Sequence, residues 1–255
     1  MSLAGRVALV TGGGRGIGRA ISLALAQDGA DVAVNYRRDD AAAKDAVAEI
    51  EKLGRRAAAY AASVDSFDED RGMVEAVLRD FGHVDILVNN AGVASRGKSV
   101  ADTEPDELLR VVSTHAFGPH YLCKLVLPSM RTRGRGDIIM ISSVATLSMA
   151  GWGAPYNMGK AAMEALALTL FKEERRHGIR VNIVAPGLVE TEMGRRLAKA
   201  TLRVDDLRKL DASMPFGHVC QPEDVANVVR YLVSQRASYL TGEKINVHGG
   251  GMLPG

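Results

Sequence analysis

The stretch "RVALVTGGGRGIGRAISLALAQDG", residues 6–29, decides the architecture. An apolar, β-branched run (RVALV, from 6) enters a glycine-rich turn (TGGGRGIGRA, 11–20) and leaves it as an amphipathic segment that stops at a glycine, the usual helix terminator. The same grammar repeats outward along the chain. Strand-like runs recur as DVAVNY from 31, RAAAYAA from 56, VDILVN from 84, DIIMIS from 137, IRVNIVA from 179 and KINVH from 244. Between them lie helix-like stretches such as DAAAKDAVAEIEKLG and EDRGMVEAVLRDFG. Strand–helix alternation predicts an α/β fold: one doubly wound parallel sheet of about seven strands with helices on both faces. The strands are almost wholly apolar, as strands covered on both sides must be. No linker or low-complexity segment interrupts the pattern, so residues 1–255 read as a single domain. One stretch, about 187–221, is too long for an ordinary connection and reads as a lid or substrate segment.

Composition narrows the function classes. The chain has 255 residues, 47% hydrophobic, with a formal net charge of +2. Mixed charge without a concentrated basic patch argues against a nucleic-acid partner. Two cysteines, Cys123 and Cys220, with no CxxC, argue against a disulfide framework and fit a reducing cytosol. No apolar run approaches the ~20 residues of a membrane span, and the first residues carry no signal-peptide pattern. The expectation is a soluble cytoplasmic protein with no membrane partner. The six histidines are scattered, and no HExxH or Cys/His cluster suits a metal. No GxSxG elbow points to a hydrolase.

The glycine turn carries the first chemistry. Gly12, Gly16 and Gly18 sit where a strand hands over to a helix, so backbone N–H groups can approach a pyrophosphate at the positive helix end. This is the logic of a Rossmann-like dinucleotide site. It is not a Walker A loop, because Arg19 and Ala20 follow the last glycine instead of Lys and Ser/Thr. The second strand ends in Asn35-Tyr36-Arg37-Arg38, with no carboxylate before Asp39, which suits the first turn of the next helix. An acid at this strand end holds the ribose 2′-hydroxyl of NAD, whereas arginines grip a 2′-phosphate. Arg37, Arg38 and Arg15 therefore favour NADP(H) over NAD(H); the competing reading is that Arg37 and Arg38 are solvated surface charges.

A second constellation lies in APYNMGKAA, 154–162. Tyr156 and Lys160 are four apart on a predicted helix and share a face. Together with TGGGRGIG (11–18), NNAG (89–92), ISS (141–143), PG (186–187) with Thr191, and YLTGEKINVHGG (239–250), they make the chain resemble the short-chain dehydrogenase/reductase family over nearly its whole length. RVNIVAPGLVETEM and QPEDVANVVRYLVS look most like its 3-oxoacyl-[acyl-carrier-protein] reductase branch. The resemblance implies that Tyr156 is the general acid in ketone reduction and the base in alcohol oxidation. It implies that Ser143 hydrogen-bonds the substrate carbonyl, and that Lys160 lowers the phenol pKa and binds the nicotinamide ribose. Cofactor contacts are implied at Gly12, Arg15, Gly16, Ile17, Gly18, Tyr36, Arg37, Arg38, Ser63, Val64, Asn89, Ala91, Gly92, Tyr156, Lys160, Pro186, Gly187, Val189 and Thr191. It also implies a homotetramer packed through helices around 104–132 and 155–177, where Ala161, Ala162, Ala165 and Ala167 would permit close approach; small residues suit packing within a monomer equally.

Elementary electrostatics gives the Tyr–Lys pair a purpose. A free phenol titrates near ~10. A cation ~4.5 Å away at an effective dielectric of ~20 favours phenolate by ~3–4 kcal/mol, which would bring it to about 7. Two positions depart from the family pattern. His115 stands where relatives place an asparagine, three residues before the Gly of FGPHYLCK. It either packs against a helix bend or joins a proton relay, since imidazole titrates near neutrality. Ser63 stands where an Asp commonly meets the adenine; Asp65 substitutes for it or caps the next helix.

The leading expectation is an NADPH-dependent carbonyl reductase that converts a ketone, with a 3-oxoacyl thioester as one candidate, to a secondary alcohol. The alternatives are an NAD(P)-dependent dehydrogenase of a sugar, steroid or other secondary alcohol, and a catalytically weakened nucleotide-binding or scaffold protein. In the 187–221 segment, Arg195, Arg196, Lys199, Arg203, Arg208 and Lys209 could dock an acyl carrier protein or a coenzyme A phosphate. With Glu190, Glu192, Asp205, Asp206 and Asp211 among them they equally read as a solvated face. Met193, Leu197, Leu202, Leu207 and Met214 could line an apolar pocket or close over it.

Overall fold

The computed structural model describes residues 2–251; Met1 and residues 252–255 of the expected domain lie outside the described residues. All seven expected runs are strands: β1 (Val7–Val10), β2 (Asp31–Tyr36), β3 (Ala57–Ala61), β4 (Ile86–Asn89), β5 (Gly136–Ile141), β6 (Ile179–Pro186) and β7 (Lys244–Val247). They form one parallel sheet in the order β3-β2-β1-β4-β5-β6-β7. Sequence order reverses between β1 and β4, which opens a crevice at the carboxyl ends of those strands, where α/β sheets bind ligands.

The helices are α1 (Gly16–Gln27), α2 (Asp40–Lys52), α3 (Phe67–Phe81), α4 (Pro105–Val112), α5 (Gly118–Arg131), α6 (Ala145–Ser148), α7 (Ala154–Glu174), α8 (Glu192–Leu202) and α9 (Pro222–Val233). The period of two along each strand sorts the core into two layers. Leu9, Leu87, Ile138, Met140, Val181 and Ile183 face α3, α5 and α7. Ala8, Val10, Val88, Ile139, Ile141 and Val184 face α1, α2 and α9. Local signals set the helix ends: Asp39 caps α2 through the Ala42 N–H, and α3 stops at Gly82, whose φ of 86° is the left-handed C-cap conformation.

Two segments differ from the sequence reading. The expected helix over 104–132 is interrupted by one π-helical turn, Ser113–Phe117, between α4 and α5. The extra residue in that turn rotates His115 inward, as wide turns at functional sites often do. The 187–221 stretch is no irregular loop. Thr191 caps α8, a 3-10 stretch covers Leu207–Ser213, and Ala198, Leu207 and Val219 form a small separate core. Among the described residues no helix is long and apolar enough to cross a membrane.

Candidate active site

The glycine turn closes against the first turn of α1. A Cβ at Gly18 would lie 2.1 Å from the Gly12 carbonyl oxygen, so no side chain fits there. Gly16 has a φ of 52°, which admits glycine readily, and a Cβ on it would meet Thr191 Cγ2 at 3.4 Å. The turn is held from behind by Asn35, which the sequence reading did not single out, and by Asn90 of the NNAG motif. Asn35 Oδ1 accepts from Gly12 N–H at 3.2 Å, and Asn90 Nδ2 donates to the Thr11 carbonyl at 2.8 Å. Thr11 Oγ1 in turn accepts from the N–H groups of Asn90 and Ala91, each at 2.9 Å. Asparagines at strand ends are common, and nothing in the string marks Asn35 as a turn holder. α1 begins without a side-chain cap and without an acid in its first turn, which leaves its N–H groups and its positive end free for an anion. A cradle that excludes side chains beside an uncapped helix N-terminus fits the pyrophosphate of a dinucleotide.

The residues expected around an adenosine sit at the ends of β2 and β3. Asp39 is consumed as the α2 cap, and Asp40 accepts from the Tyr36 hydroxyl at 2.7 Å and pairs with Lys44. Arg37 and Arg38 are exposed. Arg15 reaches the other way, to Glu192 on α8 at 3.2 Å, so it is not gathered with Arg37 and Arg38. The Ser63 hydroxyl donates to Asp65 and its N–H to Glu69 Oε2 at 2.8 Å. Asp65 does not cap α3; Ser66 does, accepting from Glu69 N–H. Val64 lies under the start of α5, where a Cβ at Gly118 would collide with its carbonyl oxygen at 2.3 Å. Asn89 is buried, with Nδ2 near the sulfurs of Met140 and Cys123 and Oδ1 without a partner among the described residues. After β6, Gly187 N–H bonds the Val247 carbonyl at 2.9 Å and Val189 bridges to Cys220, which carries Thr191 back onto the glycine turn. Ile17 packs on the α1-side core, and Gly92 abuts His115.

Ser143, Tyr156 and Lys160 converge at the end of β5. Ser143 Oγ accepts from Ala145 N–H at 3.1 Å. Lys160 is buried; its ammonium donates to the Ile141 carbonyl at 2.6 Å and lies 5.8 Å from the Tyr156 ring centroid. The electrostatic expectation is overturned by burial. Burial holds the Tyr156 phenol above its ordinary value, with the Ser143 hydroxyl working against it, so the phenol is not acidified to about 7. Burial instead lowers the Lys160 ammonium to about 7, opposed by the Glu164 carboxylate. Desolvation penalises both charged forms, and with the ammonium turned to Ile141 it wins over the pairwise attraction.

Of the two readings of His115, the contacts favour packing over a relay. Its Nε2 lies 2.8 Å from the Val93 carbonyl oxygen and 3.3 Å from the Val93 backbone nitrogen, and buried Nδ1 has no partner among the described residues. The ring meets Tyr156 edge-on, centroids 5.1 Å apart. Gly92 and Gly159 make room for it: a Cβ on either would lie within 2.7 and 2.8 Å of the histidine. Burial, helped by Lys160, lowers His115 to about 3. The imidazole titrating near neutrality that a relay requires is therefore absent, and His115 packs as a neutral wall of the site.

Relatives carry the same frame. A family model described as Enoyl-(Acyl carrier protein) reductase matches residues 12–251. The chain belongs to the short-chain dehydrogenase/reductase family. It is 36% identical over 244 residues (95% of this chain, 97% of the relative) to a 3-oxoacyl-[acyl-carrier-protein] reductase of Staphylococcus epidermidis. It is 34% identical over 250 residues (97% and 96%) to an L-rhamnose 1-dehydrogenase (NAD(P)(+)) of Sphingomonas sp.. The solved structure of a short chain dehydrogenase from Burkholderia cenocepacia in complex with NADP superposes with a TM-score of 0.88 at 33% identity, over 98% of each chain. As a short-chain dehydrogenase/reductase, the protein is an oxidoreductase of alcohol and carbonyl groups that uses a nicotinamide cofactor. Its relatives span sugar and acyl-carrier substrates, so the family alone leaves the substrate open.

Proposed function

We propose that the protein is an NADPH-dependent reductase of ketones bearing apolar substituents, a 3-oxoacyl thioester among them. One observation carries the reading: the buried Tyr156 phenol, raised above its ordinary value, stands beside Ser143 with the Lys160 ammonium 5.8 Å from its ring centroid. Reduction needs an acid that still has its proton at neutral pH; alcohol oxidation needs the phenolate first. A nicotinamide held by these residues would supply the hydride. Ser143 Oγ and the Tyr156 hydroxyl hold the ketone oxygen, and Tyr156 gives its proton to that oxygen. The Lys160 charge favours phenolate as it forms, so it contributes in the transition state and not in the resting site. His115 fixes the phenol ring.

NADPH is favoured because both carboxylates near the end of β2 are occupied, Asp39 as a cap and Asp40 by Tyr36 and Lys44, while Arg37 and Arg38 are exposed. The substrate mouth favours apolar groups. Leu147, Met149 and Trp152, in the segment between Ser143 and Tyr156, are exposed, as are Met193 and Leu197 of α8. Met149 and Trp152 also have positive φ (46° and 58°), which costs bulky residues energy. An acyl carrier protein fits less well than the sequence implies, since Arg195, Arg196 and Lys199 are paired with Glu190, Glu192 and Asp205. Exposed Leu109, Phe117 and Leu168 support burial of α4, the π turn and α7 in a homotetramer. Free Cys123 and Cys220 suit the cytoplasm. Cofactor oxidation with NADPH or NADH over a panel of aromatic ketones, 3-oxoacyl thioesters and sugars tests the reading. Turnover confined to sugars with NAD+, or to no substrate, would sink it.

A further inference from the structure

Glu164 takes no part in the chemistry above, yet its carboxylate stands behind two of the groups that do. It accepts from the Ser142 hydroxyl at 2.5 Å and the Thr146 hydroxyl at 2.8 Å, both through Oε1. Lys244, reaching across from β7, lies 2.9 Å from both carboxylate oxygens and donates to Thr146 Oγ1 at 2.7 Å. Thr146 Oγ1 is also 2.8 Å from the Ser143 carbonyl oxygen. A hydroxyl has one proton, so with Lys244 donating to it, Thr146 gives that proton to Glu164 or to Ser143 and couples the carboxylate to the Ser143 backbone. Residues 142 and 146 thus bracket Ser143 and are held by one side chain. Glu164 is also one helical turn beyond Lys160 on the same face of α7.

We infer that Glu164 is a positioning residue that fixes the strand end carrying Ser143 and biases Lys160 toward its charged form. The kinetic half of this inference rests on the proposed reductase chemistry; the electrostatic half does not. Lys160 is faced by Tyr156 and Glu164 on its own helix, by His115 from the π turn and by the Ile141 carbonyl from β5. Lys244 faces Glu164 from β7. His115 titrates at about 3 and the phenol above its ordinary value, so Lys160 is the member of this group that titrates near neutral pH.

The test compares Glu164→Gln, Glu164→Asp and Lys160→Met with the unaltered full chain. Glutamine keeps an oxygen for Ser142 and Thr146 and loses the charge; aspartate keeps the charge and shortens the reach. With NADPH and a turned-over ketone, the alkaline limb of kcat moves acidward by about one pH unit in Glu164→Gln. It returns toward its original position in Glu164→Asp, where kcat on the plateau falls instead. The second readout is urea denaturation of the cofactor-free protein against pH. Lys160, lowered to about 7 in the folded state, binds fewer protons there than unfolded lysine, so its contribution makes stability rise with pH above about 7. That rise begins at lower pH in Glu164→Gln and vanishes in Lys160→Met. An unmoved onset in Glu164→Gln overturns the inference whether or not any ketone is reduced. An absence of turnover with a moved onset counts against the reductase reading and leaves the charge bias standing.

Discussion

Asp70 is the place where the fold contradicts its own core, and replacing it with leucine should stabilise the protein. The buried stripe of α3 is Asp70, Met73, Val74, Val77 and Phe81, so an acid occupies its first core position. Asp70 is fully buried, and neither carboxylate oxygen has a hydrogen-bond partner among the described residues. Burial, with Asp65 and Glu69 adding repulsion, raises its pKa to about 8. Folded Asp70 therefore keeps its proton where an unfolded aspartate, near ~3.9, has lost it. Between about pH 4 and 8 the native state binds more protons than the unfolded chain, so the contribution of Asp70 to stability falls as pH rises through that window. At pH 7 the cost is of order 4 kcal/mol relative to pH 3. Asp70→Leu removes it and buries an aliphatic side chain worth about 1.5–3 kcal/mol, offset in part by imperfect fit. A net gain of roughly 2–5 kcal/mol at pH 7, or about 4–15 °C in Tm, is expected. Urea denaturation at pH 5, 7 and 9 should show the gap between the two proteins widening with pH. A gap that is constant or negative across that range would refute the reasoning.

Three further outcomes follow from the site. Gly18→Ala puts a methyl 2.1 Å from the Gly12 carbonyl, so the turn must open, and NADPH affinity by fluorescence titration should fall at least tenfold. His115→Asn should leave the limbs of the kcat–pH profile in place, because His115 titrates at about 3, while kcat drops a few-fold as the Tyr156 ring loses its edge contact. On the proposed NADPH preference, Arg37→Ala and Arg38→Ala should each raise KM for NADPH by about tenfold, the loss of one charge-assisted hydrogen bond of about 1.5 kcal/mol, and leave KM for NADH unchanged.

The fold was legible because strand and helix periods differ, and all seven runs became strands within a residue or two. Helix ends given by Gly82 and Asp39 were legible for the same local reason. What escaped the string are features set by packing across the sheet. The His115 side chain in the π turn fits only because Gly92 and Gly159 arrive from two other segments without a Cβ. The Glu164–Lys244 clamp joins residues 80 apart. The pKa of Tyr156 was misjudged because a pairwise Coulomb estimate contains the neighbour and not the burial, and here burial dominates both partners. The 187–221 segment looked irregular because α8 and its short 3-10 neighbour bury only a small core of their own.

The most direct test of the account is the rate of NADPH-dependent ketone reduction by Tyr156→Phe, measured on protein shown to be folded and to bind NADPH as tightly as the unaltered chain. Loss of the proton donor alone should lower kcat by about 10²–10⁴-fold. A kcat within a few-fold of the unaltered protein would contradict the claim that the buried phenol of Tyr156 delivers the proton.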